Sequence, residues 1–422
     1  MKRIVVVGSG FGGLEAVAQL DRLLGRDPDV EILLLSEQNY LLFTPLLPQI
    51  ASSFTDPRHI IQAVREIRGK RKFIFRREAV RAVDTVSRRL VVDSGTIEYD
   101  ALILGPGSRT EFFNTPGARE NCWDYKSLQQ AVELREHIID LCEHADHTVD
   151  AAARQTLLTF VVVGGGYTGI ELVTEMRDFL FRYAAKKYRG IDASEIRLIV
   201  LEALPDLLRG IGPKLAAHAR NRLDVSGIEV RTSTRVTRVT GCAVEINGNE
   251  TLQAGTIIWT AGVRAIELIE SLPGPHDRIG RAVVNSQLQL NDHPEVFVIG
   301  DAAAATNAPD APRVAPVAIE QGRVAAINIA HLWKSEPLET YEYASKGMLV
   351  SLGMNYAVVN VAGIQVSGYF AWLFWNAVHL YKLVGLKKQL QVAGDWILGL
   401  IFPRDAAIVR EPRHCKLCGK SQ

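Results

Sequence analysis

Two glycine-rich stretches carry the clearest chemistry in this sequence. Gly8-Ser9-Gly10-Phe11-Gly12-Gly13 follows the apolar run Ile4-Val5-Val6-Val7, and Gly164-Gly165-Gly166-Tyr167-Thr168-Gly169 follows Phe160-Val161-Val162-Val163. Each fits G-x-G-x-x-G between a strand and a helix start. The first glycine of each (Gly8, Gly164) makes a tight turn, the second (Gly10, Gly166) lets a pyrophosphate approach the backbone, and the third (Gly13, Gly169) lets helix and strand pack closely. One copy is a weak signal. Two copies predict two dinucleotides, and so an electron relay between a nicotinamide and a flavin.

Carboxylates that could complete such sites follow at suitable distances. After the strand-like run Glu31 to Leu35 come Ser36-Glu37, where Glu37 is the candidate acceptor for adenosine ribose hydroxyls and Ser36 the competing position. The corresponding run Arg197 to Leu201 closes at Glu202, whose charge would accept from a 2′-hydroxyl and repel a 2′-phosphate, favouring NADH over NADPH. Val296 to Ile299 leads into Gly300-Asp301, where an aspartate beside small residues can approach a flavin's ribityl or pyrophosphate. Glu171 lies two residues beyond Gly169, at the helix start, where the helix dipole favours the ionised form.

The elements that must hold these residues repeat. Strand Ile4 to Val7, helix Leu14 to Leu24 and strand Glu31 to Leu35 are matched by Leu157 to Val163, Ile170 to Phe181 and Arg197 to Leu201, as in an internally duplicated nucleotide-binding fold. Leu141 to Thr156 reads as a helix end and linker. Glu229 to Val239, Ala243 to Ile246 and Thr256 to Trp259 read as strands, with a hairpin turn at Asn247-Gly248. The expected class is α/β with two Rossmann-like domains, the second inserted in the first: residues 1–115 with 290–345 for the flavin, 150–285 for the nicotinamide, and a C-terminal region over 346–422.

Composition bounds the rest. A chain of 422 residues, 47% apolar and 23% charged, can bury a substantial core. Its net charge of +1 excludes the basic excess of a nucleic-acid protein. The charge is uneven: from Gln365 to Gln422 eight Lys or Arg face three Asp or Glu, a basic tail on an acidic body. Five scattered cysteines do not make a disulfide framework, and Met1-Lys2-Arg3 enters a strand directly, so a cytoplasmic location is expected.

Together, Gly8 to Gly13, Asn39-Tyr40-Leu41-Leu42-Phe43-Thr44-Pro45-Leu46-Leu47-Pro48, Tyr167-Thr168-Gly169-Ile170-Glu171 and Val296 to Asp301 resemble the type II NADH:quinone oxidoreductases. Phe370 to Leu373, Lys382 to Leu386, Asp395-Trp396 and Phe402-Pro403-Arg404-Asp405 are similar to that family's membrane-docking helices. The resemblance implies a single-chain, non-pumping flavoenzyme on the cytoplasmic face of the membrane. FAD would sit against Gly8, Gly10, Phe11, Gly12, Gly13, Glu37, Gly300 and Asp301, and NADH over Gly164, Gly166, Tyr167, Gly169 and Glu202. Glu171 would lie near both and couple them, or else be an ordinary first-turn carboxylate complementing the helix dipole. Ala315 to Gly322 occupies the place of the family's quinone motif, A-Q-x-A-x-Q, with two departures: Pro316 and Glu320 stand where glutamines are expected. Proline cannot donate an amide hydrogen bond and an ionised Glu only accepts. Quinone contacts are assigned to Pro316, Ile319 and Glu320, a protonated Glu320 being the available donor.

The tail has no charged residue between Lys346 and Lys382. Met348 to Gly363 reads as a hairpin, leaving a helix of about Gly368 to Tyr381, too short to span a bilayer, which takes roughly 20 residues. Trp372, Trp375, Tyr381 and Trp396 beside Lys382, Lys387 and Lys388 suit a helix pair lying in a membrane interface; a homodimer contact buries aromatics in the same way. The terminal Cys415-Lys416-Leu417-Cys418 is half of a metal site and reads as a surface tail. Two rivals share the fold. A sulfide:quinone oxidoreductase needs cysteines beside the flavin, where this chain has Tyr167-Thr168 and only Cys122 lies near an expected position. A non-catalytic, NADH-binding redox sensor would reduce its flavin without quinone turnover.

Overall fold

The computed structural model describes residues 1–409, so the terminal cysteine pair lies outside the described residues. The chain forms two units. One comprises Met1–Leu42, Ile61–Arg109 and Val263–Ser345. Its main sheet has six strands in the order Gln289–Leu290, His293–Val298, Ala101–Leu104, Lys2–Val7, Val30–Ser36 and Ile74–Arg77, parallel except for the first pair. The central strands are continuous apolar runs because parallel strands are covered on both faces, and Ile4, Val5 and Val6 are fully buried. Helix Phe11–Leu24 buries Leu14, Ala16, Val17, Leu20 and Leu24. It packs on helix Ala315–Lys334, where a Cβ on Gly322 would collide with the Gly12 carbonyl. The unit also carries a three-stranded antiparallel sheet, Val80–Asp84, Arg89–Val92 and Gly95–Glu98, and short two-stranded pairs such as Tyr40–Leu42 with Ile61–Ala63.

The other unit comprises Phe43–Ile60, Thr110–Gly262 and the chain from Lys346 onward. It repeats the plan with five parallel strands in the order Trp123–Asp124, Thr256–Trp259, Thr159–Val163, Arg197–Leu201 and Ile228–Arg231. It too carries an antiparallel trio, Val236–Val239, Ala243–Ile246 and Glu250–Gln253. The hairpin turn stands as expected, Asn247 and Gly248 both taking the positive φ that a primed turn requires.

Packing groups the chain differently from the expected boundaries. Residues 43–60 join the second unit and 263–289 the first, while 346–409 packs with the second unit instead of standing apart. The stretch 229–239 is two strands in two sheets. Within 141–156 the chain is mostly helical: Leu128–His147 ends there, and Asp150 caps Ala151–Leu157 by accepting from the Ala152 and Ala153 amides at 2.8 and 3.0 Å.

The C-terminal region adds a third strand to the expected hairpin: Met348–Ser351, Ala357–Val361 and Ile364–Gly368 form an antiparallel sheet. Helix Tyr369–Lys382 follows, then Leu386–Ile401, which starts ten residues earlier than the apolar stretch at Trp396 suggests. Among the described residues no helix is long and apolar enough to cross a membrane.

Candidate functional site

The two glycine turns have nearly the same geometry. Gly8 and Gly164 have φ of 102° and 113°, and a Cβ would strike Gly105 at the first and Ala261 at the second. At the third position the logic also repeats, since a Cβ on Gly13 would collide with the Gly8 carbonyl and one on Gly169 with the Gly164 carbonyl. The second glycines differ in the useful way. Gly10 and Gly166 are exposed, and a Cβ on either would meet nothing within 4 Å. Each is the N-cap of its helix without a side-chain cap, so no capping side chain occupies the helix start at which an anionic pyrophosphate would bind. This open, donor-rich backbone fits a dinucleotide at both turns.

Register fixes which residue at each strand end reaches its turn. Val7 pairs with Leu35 and Val163 with Leu201, so Ser36 in the first unit is equivalent to Glu202 in the second. Ser36 Oγ lies 2.9 Å from Ser9 Oγ. Glu202 accepts from the Gly165 amide at 2.7 Å and from the Leu204 amide at 2.8 Å, one on each carboxylate oxygen. It thus fixes the turn, with a second lone pair on each oxygen left to accept. Glu37 stands one residue beyond the equivalent position, exposed. Tyr167 turns its hydroxyl to Met348 Sδ at 2.6 Å.

In the first unit Asp301 Oδ2 accepts from Ser108 Oγ at 2.6 Å, and the Gly300 amide donates to Gln321 Oε1 at 2.7 Å. Sequence reasoning missed both partners. Gln321 is 2% exposed and sits one residue beyond Glu320, so a turn of about 100° on the helix decides which of the two meets Gly300. Pro316 falls in the first turn of helix Ala315–Lys334, where its missing N–H leaves no hydrogen bond unmade, and Ile319 is partly buried one turn on. Glu320 is ion-paired with Arg323 at 2.9 Å. Its Oε1 is thus already engaged by a cation three residues along the same helix.

Glu171 departs from expectation in place and in charge. Helix Tyr167–Phe179 has no acidic residue in its first turn; Glu171 is in the second. Burial pushes its carboxyl up to about 8, against the dipole's preference, with the Ser351 amide pulling it down and the nearby Glu175 carboxylate adding to the rise. Glu171 Oε1 accepts from the Ser351 amide at 2.8 Å. One turn further along, Glu175, 5% exposed, accepts from Ser52 Oγ at 2.9 Å and lies 3.5 Å from Arg404 Nη1. The i, i+4 spacing of the two glutamates was the signal available in the sequence.

Two of the tail tryptophans, Trp375 and Trp396, are turned inward. Trp375 is 2% exposed and stacks on His379 at 4.0 Å, and Trp396 Nε1 donates to Gln49 Oε1 at 2.8 Å. The outward apolar face is instead built from Phe370, Tyr381, Leu386, Leu390, Ile397 and Ile401, each more than half exposed.

Comparison with known proteins agrees with this geometry. Residues 2–322 match the family model of pyridine nucleotide-disulphide oxidoreductases, and residues 345–405 match the NDH2 C-terminal domain. The chain is 34% identical over 412 residues to the type II NADH:quinone oxidoreductase NdhA of Mycobacterium tuberculosis, covering 93% of this chain and 86% of that one. It is 29% identical to the type II NADH:quinone oxidoreductase of Staphylococcus epidermidis, covering 96% and 98%. Its fold is shared with NDH2 from Plasmodium falciparum, solved in complex with NADH, at a TM-score of 0.88 and 19% identity over 96% of this chain and all of that one. The chain therefore belongs to the pyridine nucleotide-disulphide oxidoreductase family, among its type II NADH:quinone oxidoreductases.

Proposed function

We propose that this protein oxidises NADH and reduces a membrane quinone, with FAD and NADH as its cofactors and without proton pumping. The observation that carries the reading is the pair of open glycine turns in one chain that also has the NDH2 C-terminal domain. When bound, the flavin supplies hydride acceptance and the release of two electrons. The chain's residues bind, orient and handle the proton. Gly8, Gly10, Phe11, Gly12 and Gly13 offer the backbone donors for FAD, with Glu37 toward the ribose and Gly300 and Asp301 toward the ribityl and pyrophosphate. Gly164, Gly166, Tyr167 and Gly169 do the same for NADH, and Glu202 accepts from its ribose 2′-hydroxyl.

The overall conversion consumes NADH, quinone and one proton from solution, giving NAD⁺ and quinol. A carboxyl that stays protonated near neutral pH is suited to hold that proton, and Glu171 meets this requirement through its burial. Quinone would approach beside Pro316, Ile319 and Glu320. The exposed apolar face of Tyr369–Lys382 and Leu386–Ile401 would lie in the membrane surface, with Lys382, Lys387 and Lys388 each contributing on the order of 1 kcal/mol toward anionic lipid. The same face would otherwise serve a homodimer.

The test is direct. The purified flavoprotein is mixed anaerobically with NADH, then with a short-chain quinone, and in parallel with sulfide and the same quinone. Bleaching of the flavin by NADH and its recovery with quinone are expected. Bleaching without recovery would support a redox sensor, and recovery driven by sulfide in place of NADH would overturn the reading.

A further inference from the structure

Helix Tyr167–Phe179 carries a row of carboxylates that the proposed reaction does not by itself require. Glu171, Glu175 and Asp178 recur at i, i+4 and i+7 and so lie along one face. Glu175 and Asp178 are 5% and 3% exposed. Their partners grade from solvent inward. Asp178 lies 3.2 Å from Arg182 Nε and 3.3 Å from Arg177 Nη1, both arginines partly in solvent, and accepts from the Met354 amide at 2.7 Å. Glu175 has the Ser52 hydroxyl and the buried Arg404, whose side chain is 8% exposed. Glu171 has the Ser351 amide and, among the described residues, no cation acting on it. Beside it the indole N–H of Trp375 is buried and completes no hydrogen bond, although it comes close enough to pull on the Glu171 carboxyl.

The Ser52 hydroxyl gives this row a specific property. Ser52 Oγ is 2.9 Å from Glu175 Oε2 and also 3.1 Å from the Gln49 carbonyl. A hydroxyl has one hydrogen and can donate to only one of them at a time. When Glu175 is ionised, Ser52 donates to it. When Glu175 is protonated, Ser52 accepts from the carboxyl O–H and donates to Gln49. Both protonation states are therefore fully hydrogen-bonded, and no buried polar group is orphaned in either. Arg404 is fixed independently: Nη1 donates to the Ser52 carbonyl at 3.1 Å, and the guanidinium lies 4.7 Å from the Phe54 ring centroid. Its charge remains beside Glu175 whichever way the hydroxyl points.

We propose that Glu175 is a second proton-holding carboxylate behind Glu171, that Ser52 switches its hydroxyl to accommodate either state, and that Arg404 is the positioning residue that limits how long the proton stays there. This rests on the reading of Glu171 as the proton-holding carboxyl. The balance is simple: Glu171 gives its proton toward the quinol, Glu175 passes a proton to Glu171, and solution returns one proton to Glu175 past Asp178. The charged groups around Glu175 are Glu171, Asp178 and Arg182 from its own helical segment and Arg404 from the chain beyond Leu386–Ile401. Tyr125 adds a buried hydroxyl that donates to the Leu47 carbonyl at 2.6 Å. Burial raises the Glu175 carboxyl and Arg404 opposes this, as a site that must both take and release a proton requires.

The test uses the flavin-loaded protein with Glu175→Gln, Ser52→Ala, Arg404→Lys and, as reference, Glu171→Gln. Stopped-flow separates flavin reduction by NADH from reoxidation by quinone. Glu175→Gln and Ser52→Ala should leave reduction unchanged and slow reoxidation by about tenfold or more, with a shifted pH profile, while Arg404→Lys retains most of the rate. An infrared titration of the oxidised protein without substrate gives a readout independent of turnover. The protonated-carboxyl band should titrate in two coupled steps in the parent and in one in Glu175→Gln. Parental reoxidation and an unchanged titration in Glu175→Gln, with Glu171→Gln impaired, would overturn the relay alone. Parental reoxidation in Glu171→Gln would overturn the reading beneath it. Equal slowing of both half-reactions in the Glu175 and Ser52 variants would mean that the pair is only structural.

Discussion

Replacing Glu171 by Gln should change how stability depends on pH, and both the sign and the size follow from the structure. In an unfolded chain the Glu171 carboxyl returns to about 4.5, whereas in the folded protein burial raises it to about 8. Between those values the native state binds the proton and the unfolded state does not. Stability must therefore fall as pH rises from about 4.5 to about 8, and be flat in this contribution outside the window. The displacement of about 3.5 units, at about 1.4 kcal/mol per unit, sets an upper bound of about 5 kcal/mol. Glu171 keeps some contact with solvent, which relaxes the penalty, so a change of about 2–5 kcal/mol is expected.

Glutamine keeps the size and an acceptor for the Ser351 amide but cannot ionise, so the variant should lack the slope. Chemical denaturation of the flavin-loaded protein and the variant, at intervals between pH 4 and 9, reads this as a difference of differences. Near pH 4 the two should be about equally stable. Near pH 9 Glu171→Gln should be the more stable, even though its quinone turnover is impaired. Such a gain in stability on losing a functional group is expected where burial of a charge is retained for chemistry. Parallel stability curves for parent and variant would refute the claim that the Glu171 carboxyl is displaced at all.

Three further outcomes test other parts of the site. Gly10→Ala should fold with near-parental stability, because its Cβ meets nothing, yet purify with little flavin; Gly13→Ala should lose flavin and also about 1–3 kcal/mol, because its Cβ runs into the Gly8 carbonyl. The ratio of flavin to protein absorbance, set against denaturation midpoints, separates the two. Glu202→Ala should relax the preference for NADH over NADPH and cost about 1–3 kcal/mol, since the Gly165 and Leu204 amides lose their acceptor; an unchanged cofactor preference with lowered stability would leave Glu202 a turn-fixing residue only. Replacing Phe370, Leu390, Ile397 and Ile401 together by Ser should reduce co-sedimentation with anionic vesicles by more than tenfold, each fully buried apolar side chain being worth about 1.5–3 kcal/mol. Undiminished sedimentation would move that face from lipid to a protein contact.

What could be read from the sequence, and what could not, divides along the range of the interactions involved. The glycine turns were legible because strand, turn and helix start are contiguous, and the collisions that demand glycine at Gly13 and Gly169 come from carbonyls only five residues earlier. Glu171 was legible as a residue of interest but not in its charge. The dipole of its own helix favours a carboxylate, and that local argument is outweighed by burial that distant segments create: Ser351 is 180 residues away and Trp375 further still. Glu175 was hidden for the same reason, since Ser52 lies 123 residues before it and Arg404 well over two hundred beyond. The tail shows the converse error. Its tryptophans have the composition of interfacial anchors, but Trp375 and Trp396 cover the polar row and the 43–60 segment, leaving Phe370 and the aliphatic residues of Leu386–Ile401 outside. Periodicity identifies an amphipathic helix without saying which of two apolar faces meets the protein. Here the buried polar groups settle it, because an indole N–H can serve Gln49 and a leucine cannot. Trp396 is held inward by this bond, and Trp375 is buried beside Glu171. The C-terminal region is thus as much a part of the proposed proton chemistry as of the proposed docking surface.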